Sequence, residues 1–78
     1  MEMRWIKTEE MLRNLKNEPG VEQQYSRHLG GILRSTHWLK YDPERDEYGD
    51  STDWVEYDWF TREEFLSFFG DGWWCREH

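Results

Sequence analysis

The sequence predicts an α+β fold: a small single domain spanning 1–78, in which a three- or four-stranded, mainly antiparallel sheet packs with two or three short helices in the order βααββαβ. Three observations lead there. The chain has 78 residues, enough volume for one core and too little for two. Segments rich in β-branched and aromatic residues alternate with segments of helical spacing. The stretch "FTREEF" carries a complete helix-start signal.

Taken in order, "MRWIK" sets Met3, Trp5 and Lys7 on one side and Arg4 and Ile6 on the other, the alternation of a strand. Thr8 reads as an N-cap, with Glu9 and Glu10 where a helix dipole favours negative charge. Met11, Leu12 and Leu15 then form one helical face, and Pro19-Gly20 ends it. Val21, Tyr25 and Leu29 recur at a spacing of four, which predicts a second helix from Val21 to Leu29 with Gly30 as its stop. Continuing that helix to Leu33 would place two glycines inside it, at about 1 kcal/mol each relative to alanine.

"ILRSTHWLKY" and "DWVEYDWF" read as two antiparallel strands joined by a long acidic hairpin loop. In the second, Val55, Tyr57 and Trp59 are expected inside and Glu56 and Asp58 in water. Thr61 caps the next helix, Glu64 completes the capping box, and Phe60 staples onto Phe65. That helix covers 62–69, burying Phe65, Leu66, Phe68 and Phe69, and "GWWCRE" follows as a last short strand.

Charge is divided unevenly along the chain. The net charge is −7, made of +2 over residues 1–40 and −9 over residues 41–78. Residues 42–64 alone hold ten carboxylates, two arginines and five aromatic residues. An acidic half of this kind disfavours direct contact with nucleic acid or an anionic membrane and suits a cationic partner or simple solubility. The start "MEMRWIKTEE" has no apolar signal core, and no run is long enough to cross a bilayer, so a cytoplasmic protein is expected. Cys75 is the one cysteine, which excludes an internal disulfide.

Chemical motifs are sparse. Asp42, Glu44, Asp46 and Asp53 suggest a calcium loop, but Glu47 stands where such a loop needs glycine. Cys75 and His78 have the spacing of half a zinc site, with only His28 and His37 to complete it. Ser26, Ser35, Ser51 and Ser67 lack the setting of a nucleophile elbow, and no phosphate-cradling glycine pattern occurs. No enzyme, metal or cofactor is therefore expected.

Six Trp, four Tyr and four Phe give the chain its core anchors. Tyr41, Tyr48, Trp54, Trp73 and Trp74 exceed what one small core holds, so some should be exposed or covered by another chain. The combined expectation is an acidic protein-binding module that docks a basic protein surface, for instance that of a nucleic-acid-binding protein. Its contact residues would be Asp42, Glu44, Asp46, Glu47, Asp50, Asp53, Trp54, Glu56, Asp58, Trp73 and Trp74. A sharper version is an inhibitor that mimics nucleic acid, as small acidic viral proteins do, with carboxylates about 6.6 Å apart on alternate strand positions. The alternative is a regulatory or structural domain that forms a homodimer through its tryptophans, with charge serving solubility.

Overall fold

A computed structural model describes residues 4–28 and 34–77. Its elements are β1 (Trp5–Lys7), α1 (Thr8–Asn17), β2 (Gln23–His28), β3 (Arg34–Asp42), β4 (Glu47–Ser51), β5 (Asp58–Phe60), α2 (Arg62–Phe69) and β6 (Trp73–Glu77). The six strands form one sheet in the order β1-β6-β2-β3-β4-β5, and every neighbouring pair is antiparallel. The C-terminal strand β6 is thus inserted between β1 and β2. The two edge strands have three residues each, which leaves little free edge for another chain to extend. Among the described residues no helix is long and apolar enough to cross a membrane.

The α+β class holds, and the described residues form two helices, as expected, but six strands where three or four were expected, in the order βαββββαβ. The segment expected as a second helix is β2. Its spacing of four fits period 2 as well as period 3.6, so Val21, Tyr25 and Leu29 could not separate the two. Tyr25 is fully buried, Val21 is 47% exposed, and Leu29 lies outside the described residues. What fixes the strand is pairing on both sides, with β3 and with β6. The acidic loop also shortens: Glu47–Ser51 forms β4 against β3, and only Pro43, Glu44, Arg45 and Asp46 remain as the turn.

Strand β5 begins at Asp58 rather than near Trp54. The Asp53 carboxylate accepts N–H bonds from Val55 and Glu56, and Ser51 Oγ accepts that of Trp54. Local side chains thereby satisfy backbone groups that a ladder would otherwise use. Val55 is consequently 77% exposed instead of buried, and Tyr57 and Trp59 are half-buried.

Both helices cover one face of the sheet. Ile6, Tyr25, Leu39, Tyr41, Tyr48 and Trp74 project from the strands to meet Met11, Leu12 and Leu15 of α1 and Phe65 and Phe69 of α2. In α2 the Thr61 hydroxyl accepts from Glu64 N–H while the Glu64 carboxylate accepts from Thr61 N–H, the expected capping box. Phe60 meets Phe65 edge-on at 5.7 Å. Gly70 ends the helix with φ +71°, a backbone region that side chains rarely adopt. Phe68, expected in the core, is 71% exposed.

Thr8 differs from its expected role as well. It is the first residue of α1, and the N-cap position falls to Lys7, which makes no side-chain cap. The Thr8 hydroxyl instead donates to Gly70 C=O at 2.9 Å and accepts from Gly72 N–H at 3.1 Å and Trp74 Nε1 at 2.9 Å. Thr8 and Trp74 are both fully buried, so loss of the hydroxyl would strand buried donors and an acceptor. Each such group costs about 1–3 kcal/mol. Thr8→Val should therefore destabilise the protein by about 3 kcal/mol in urea denaturation, and Thr8→Ser by less than half of that; equal losses would show that the methyl group, and not the hydroxyl, matters.

Candidate functional site

The acidic and aromatic residues singled out in the sequence separate into three places. Asp42, Glu44, Asp46 and Glu47 build the β3–β4 hairpin. Asp42 accepts from the N–H groups of Glu44 and Arg45 and pairs with the Arg45 side chain at 3.5 Å. Asp46, at φ +54°, accepts the Tyr41 hydroxyl at 2.7 Å, and this bond holds the Tyr41 phenol up at about 12. Two of these four acids thus shape the turn.

The tryptophans divide across the sheet. Trp74 lies in the core beneath the helices, fully buried, and offers no surface to a partner. Strand alternation and register place Trp5, Trp38, Trp59 and Trp73 on the helix-free face. Cations sit over several of these aromatic side chains: Lys7 over Trp73 at 4.2 Å, Arg34 over Trp5 at 5.4 Å, Lys40 over Tyr57 at 4.2 Å and Arg45 over Trp59 at 4.8 Å. Trp54 is 65% exposed and left-handed, at φ +67°, with its indole N–H given to Glu22 at 3.0 Å. The Tyr57 hydroxyl also bonds Glu22, and burial together with that carboxylate pushes its pKa up.

The third group converges. Asp50, Asp53, Glu56 and Asp58 line one cleft of about 410 Å³ beside the C-terminal end of α2, a size within the range of small-ligand pockets. Phe60, Phe68 and Phe69 form its apolar wall, and Arg27, Ser35 and His37 line it from β2 and β3. Five elements and one loop therefore deliver its side chains. Asp53 is held by Val55 N–H, Glu56 N–H and Ser51 Oγ–H, and these bonds keep its carboxyl below the usual aspartate range. Such a contribution to stability is present above the ordinary aspartate range and lost as pH falls through the lowered value.

At the cleft floor, His37 and Asp50 are 5% and 7% exposed. His37 Nδ1 lies 2.6 Å from Asp50 Oδ1, and His37 Nε2 lies 2.7 Å from Ser35 Oγ. A carboxylate at Nδ1 and a hydroxyl at Nε2 fit the tautomer in which Nδ1–H is given to Asp50 and Nε2 accepts from Ser35. Phe69 and Trp74 meet the imidazole edge-on at 5.8 and 5.3 Å. Arg27, the cross-strand neighbour of Ser35, gives one N–H to Phe69 C=O at 2.9 Å. Its Nε is buried and has no hydrogen-bond partner.

Sequence reading named each of these residues except Arg27, yet assigned them apart: Asp50 to a contact face, His37 to an incomplete zinc set, and Ser35 to no role. The legible signal was Ser35-Thr36-His37 on a strand, since alternation puts Ser35 and His37 on one face. Among the described residues no three metal-ligating side chains are grouped as a cation site.

Asp50 and Asp58, alike in sequence, should behave differently. Asp50→Ala should cost about 1–3 kcal/mol by leaving buried His37 Nδ1 without its acceptor, whereas exposed Asp58→Ala should stay within about 0.5 kcal/mol. Urea denaturation of the two variants measures this, and equal effects would contradict the buried pair.

No protein-family model, curated protein or solved structure matches the chain, so the chemistry of the cleft itself carries the functional argument.

Proposed function

We propose that the chain is an acidic binding module whose cleft receives a lysine or arginine side chain from a basic protein surface. One observation carries this reading: Asp50 and Asp58 are directly opposite each other on β4 and β5, on the face that Asp53 and Glu56 also approach. Like charges in opposed positions destabilise a sheet. Asp53, Glu56 and Asp58 are exposed and make no ion pair among the described residues. A cation entering the cleft relieves that repulsion, and Phe60 and Phe68 give its aliphatic stem apolar contact.

The arrangement favours one cationic side chain over a row of phosphate-reading residues. A regular carboxylate ladder would need Glu56 and Asp58 on one strand, and Glu56 belongs to the loop before β5. Mimicry of nucleic acid therefore draws less support from the cleft than capture of a single lysine or arginine does. Trp54 and Trp73 are exposed and do not line this cleft, so they would serve a separate contact, such as a second copy of the chain.

Paired charge removals of equal size test the reading. Binding of a fluorescent lysine-rich peptide, followed by anisotropy, should weaken about tenfold in Glu56→Gln/Asp58→Asn, a loss of ~1.4 kcal/mol. The hairpin pair Glu44→Gln/Glu47→Gln changes net charge by the same amount and should have a markedly smaller effect. Added salt should weaken the unmodified protein's binding as the cleft variant does. If both pairs weaken binding equally, the peptide responds to overall charge and the cleft reading fails.

A further inference from the structure

We propose that Ser35, His37 and Asp50 form a nucleophilic relay that hydrolyses esters, with Arg27 as the donor to the developing oxyanion. The proposal goes beyond docking. Only its substrate preference, for an ester carrying a positive charge near the scissile bond, rests on the acidic cleft described above.

A serine nucleophile needs a base in hydrogen-bond contact and a third group that holds the base in the right tautomer. The structure supplies both contacts, Ser35 Oγ to His37 Nε2 at 2.7 Å and His37 Nδ1 to Asp50 Oδ1 at 2.6 Å. The order of roles follows from burial. Asp50 and His37 are buried at the floor while Ser35 is half-buried and lines the cleft, so the nucleophile is the member that a substrate reaches. No nucleophile elbow is present; the sheet replaces it, because residues two apart on β3 share a face and Leu39, two further along, is paired with Asp50 on β4.

An ester carbonyl attacked in an acidic cleft needs a positive group for its oxygen. Arg27 fits the need: it is the cross-strand partner of Ser35 and lines the same cleft. Its guanidinium is fixed by the Phe69 carbonyl at 2.9 Å and by the Phe69 ring at 4.9 Å, so little reorganisation accompanies charge development.

The steps balance without any external oxidant or reductant. Ser35 Oγ bonds to the ester carbon as its proton passes to His37 Nε2, and Asp50 stabilises the imidazolium. The carbon–alkoxy bond then breaks, and the leaving alcohol takes the proton from His37. Water, deprotonated by His37, attacks the acyl-serine; the Ser35–carbon bond breaks, the proton returns to Ser35, and a carboxylic acid is released. Asp53, Glu56 and Asp58 at the mouth favour a cationic alcohol portion and disfavour an anionic one.

Diisopropyl fluorophosphate tests the nucleophile directly, because Ser Oγ displaces fluoride and the adduct is read by intact mass and peptide mapping. Labelling should fall on Ser35 and spare Ser26, Ser51 and Ser67, and should slow by about 10²-fold or more in His37→Gln. Asp50 acts through His37 as a positioning residue: Asp50→Asn should lower kcat for the ester with KM little changed, and Asp50→Glu should restore part of the rate. Ser35→Ala, which removes one hydroxyl from a half-buried position, should fold with an unchanged circular dichroism spectrum and lose turnover of an acetylcholine-type ester. A folded unmodified protein that leaves Ser35 unlabelled, or that labels it equally after His37→Gln, overturns the proposal. A labelled Ser35 with no preference for cationic over anionic esters leaves the relay standing and contradicts the acidic-cleft reading alone.

Discussion

Trp74 donates its indole N–H to Thr8 Oγ1 at 2.9 Å, and the sheet is organised around that bond. It joins the first residue of α1 to the strand that arrives last in the chain. Strand β6 lies between β1 and β2, so β1 has no sheet partner until β6 is in place. The same hydroxyl takes up Gly70 and Gly72, the residues that lead out of α2. Burying a tryptophan removes roughly 150–250 Å² from water, worth about 4–6 kcal/mol at the usual apolar coefficient. A single polar contact thus keeps a large apolar contribution in one geometry.

The functional cleft inherits its shape from that arrangement. Trp74 and Phe69 are the surfaces against which the His37 ring stands edge-on, and the Arg27 guanidinium lies over both rings, at 4.9 Å from Phe69 and 5.7 Å from Trp74. Rings on one side and Asp50 on the other leave His37 little freedom, which is the condition for a floor that keeps its hydrogen bonds when a ligand enters. The mouth is built differently. Its carboxylates come from a loop held by Asp53 and from the short edge strand β5, where repulsion between Asp50 and Asp58 is borne by the sheet.

Much of this was legible in the sequence, for reasons that differ by residue. The α2 start was plain because capping-box chemistry is local: Thr61 and Glu64 satisfy each other's backbone within one turn. The helix at Met11, Leu12 and Leu15 was plain because no strand period fits that pattern. The segment 21–29 was ambiguous because a four-residue spacing suits both periods, and the deciding pairings to β3 and β6 are made with residues far away in the chain. Thr8 looked like a cap because its hydroxyl precedes a helical face; its true partners, Gly70, Gly72 and Trp74, lie more than sixty positions later. Asp50 could not be told from Asp46 or Asp53 by composition, since burial beside His37 is a property of the register between β3 and β4. Arg27 was invisible because its place beside Ser35 is set by the register between β2 and β3.

Two faces with opposite character result. The helix-bearing side ends in an acidic cleft, and the helix-free side carries tryptophans beneath lysine and arginine side chains. Chemical-shift mapping of the ¹⁵N-labelled protein during titration with a lysine-rich peptide tests most directly which of these surfaces meets a cationic partner. Saturable shifts should concentrate at Asp50, Asp53, Glu56, Asp58 and Phe68, with the His37 ring responding. Shifts confined to the 42–47 hairpin or to Trp5, Trp38 and Trp73, with the cleft silent, would contradict the account.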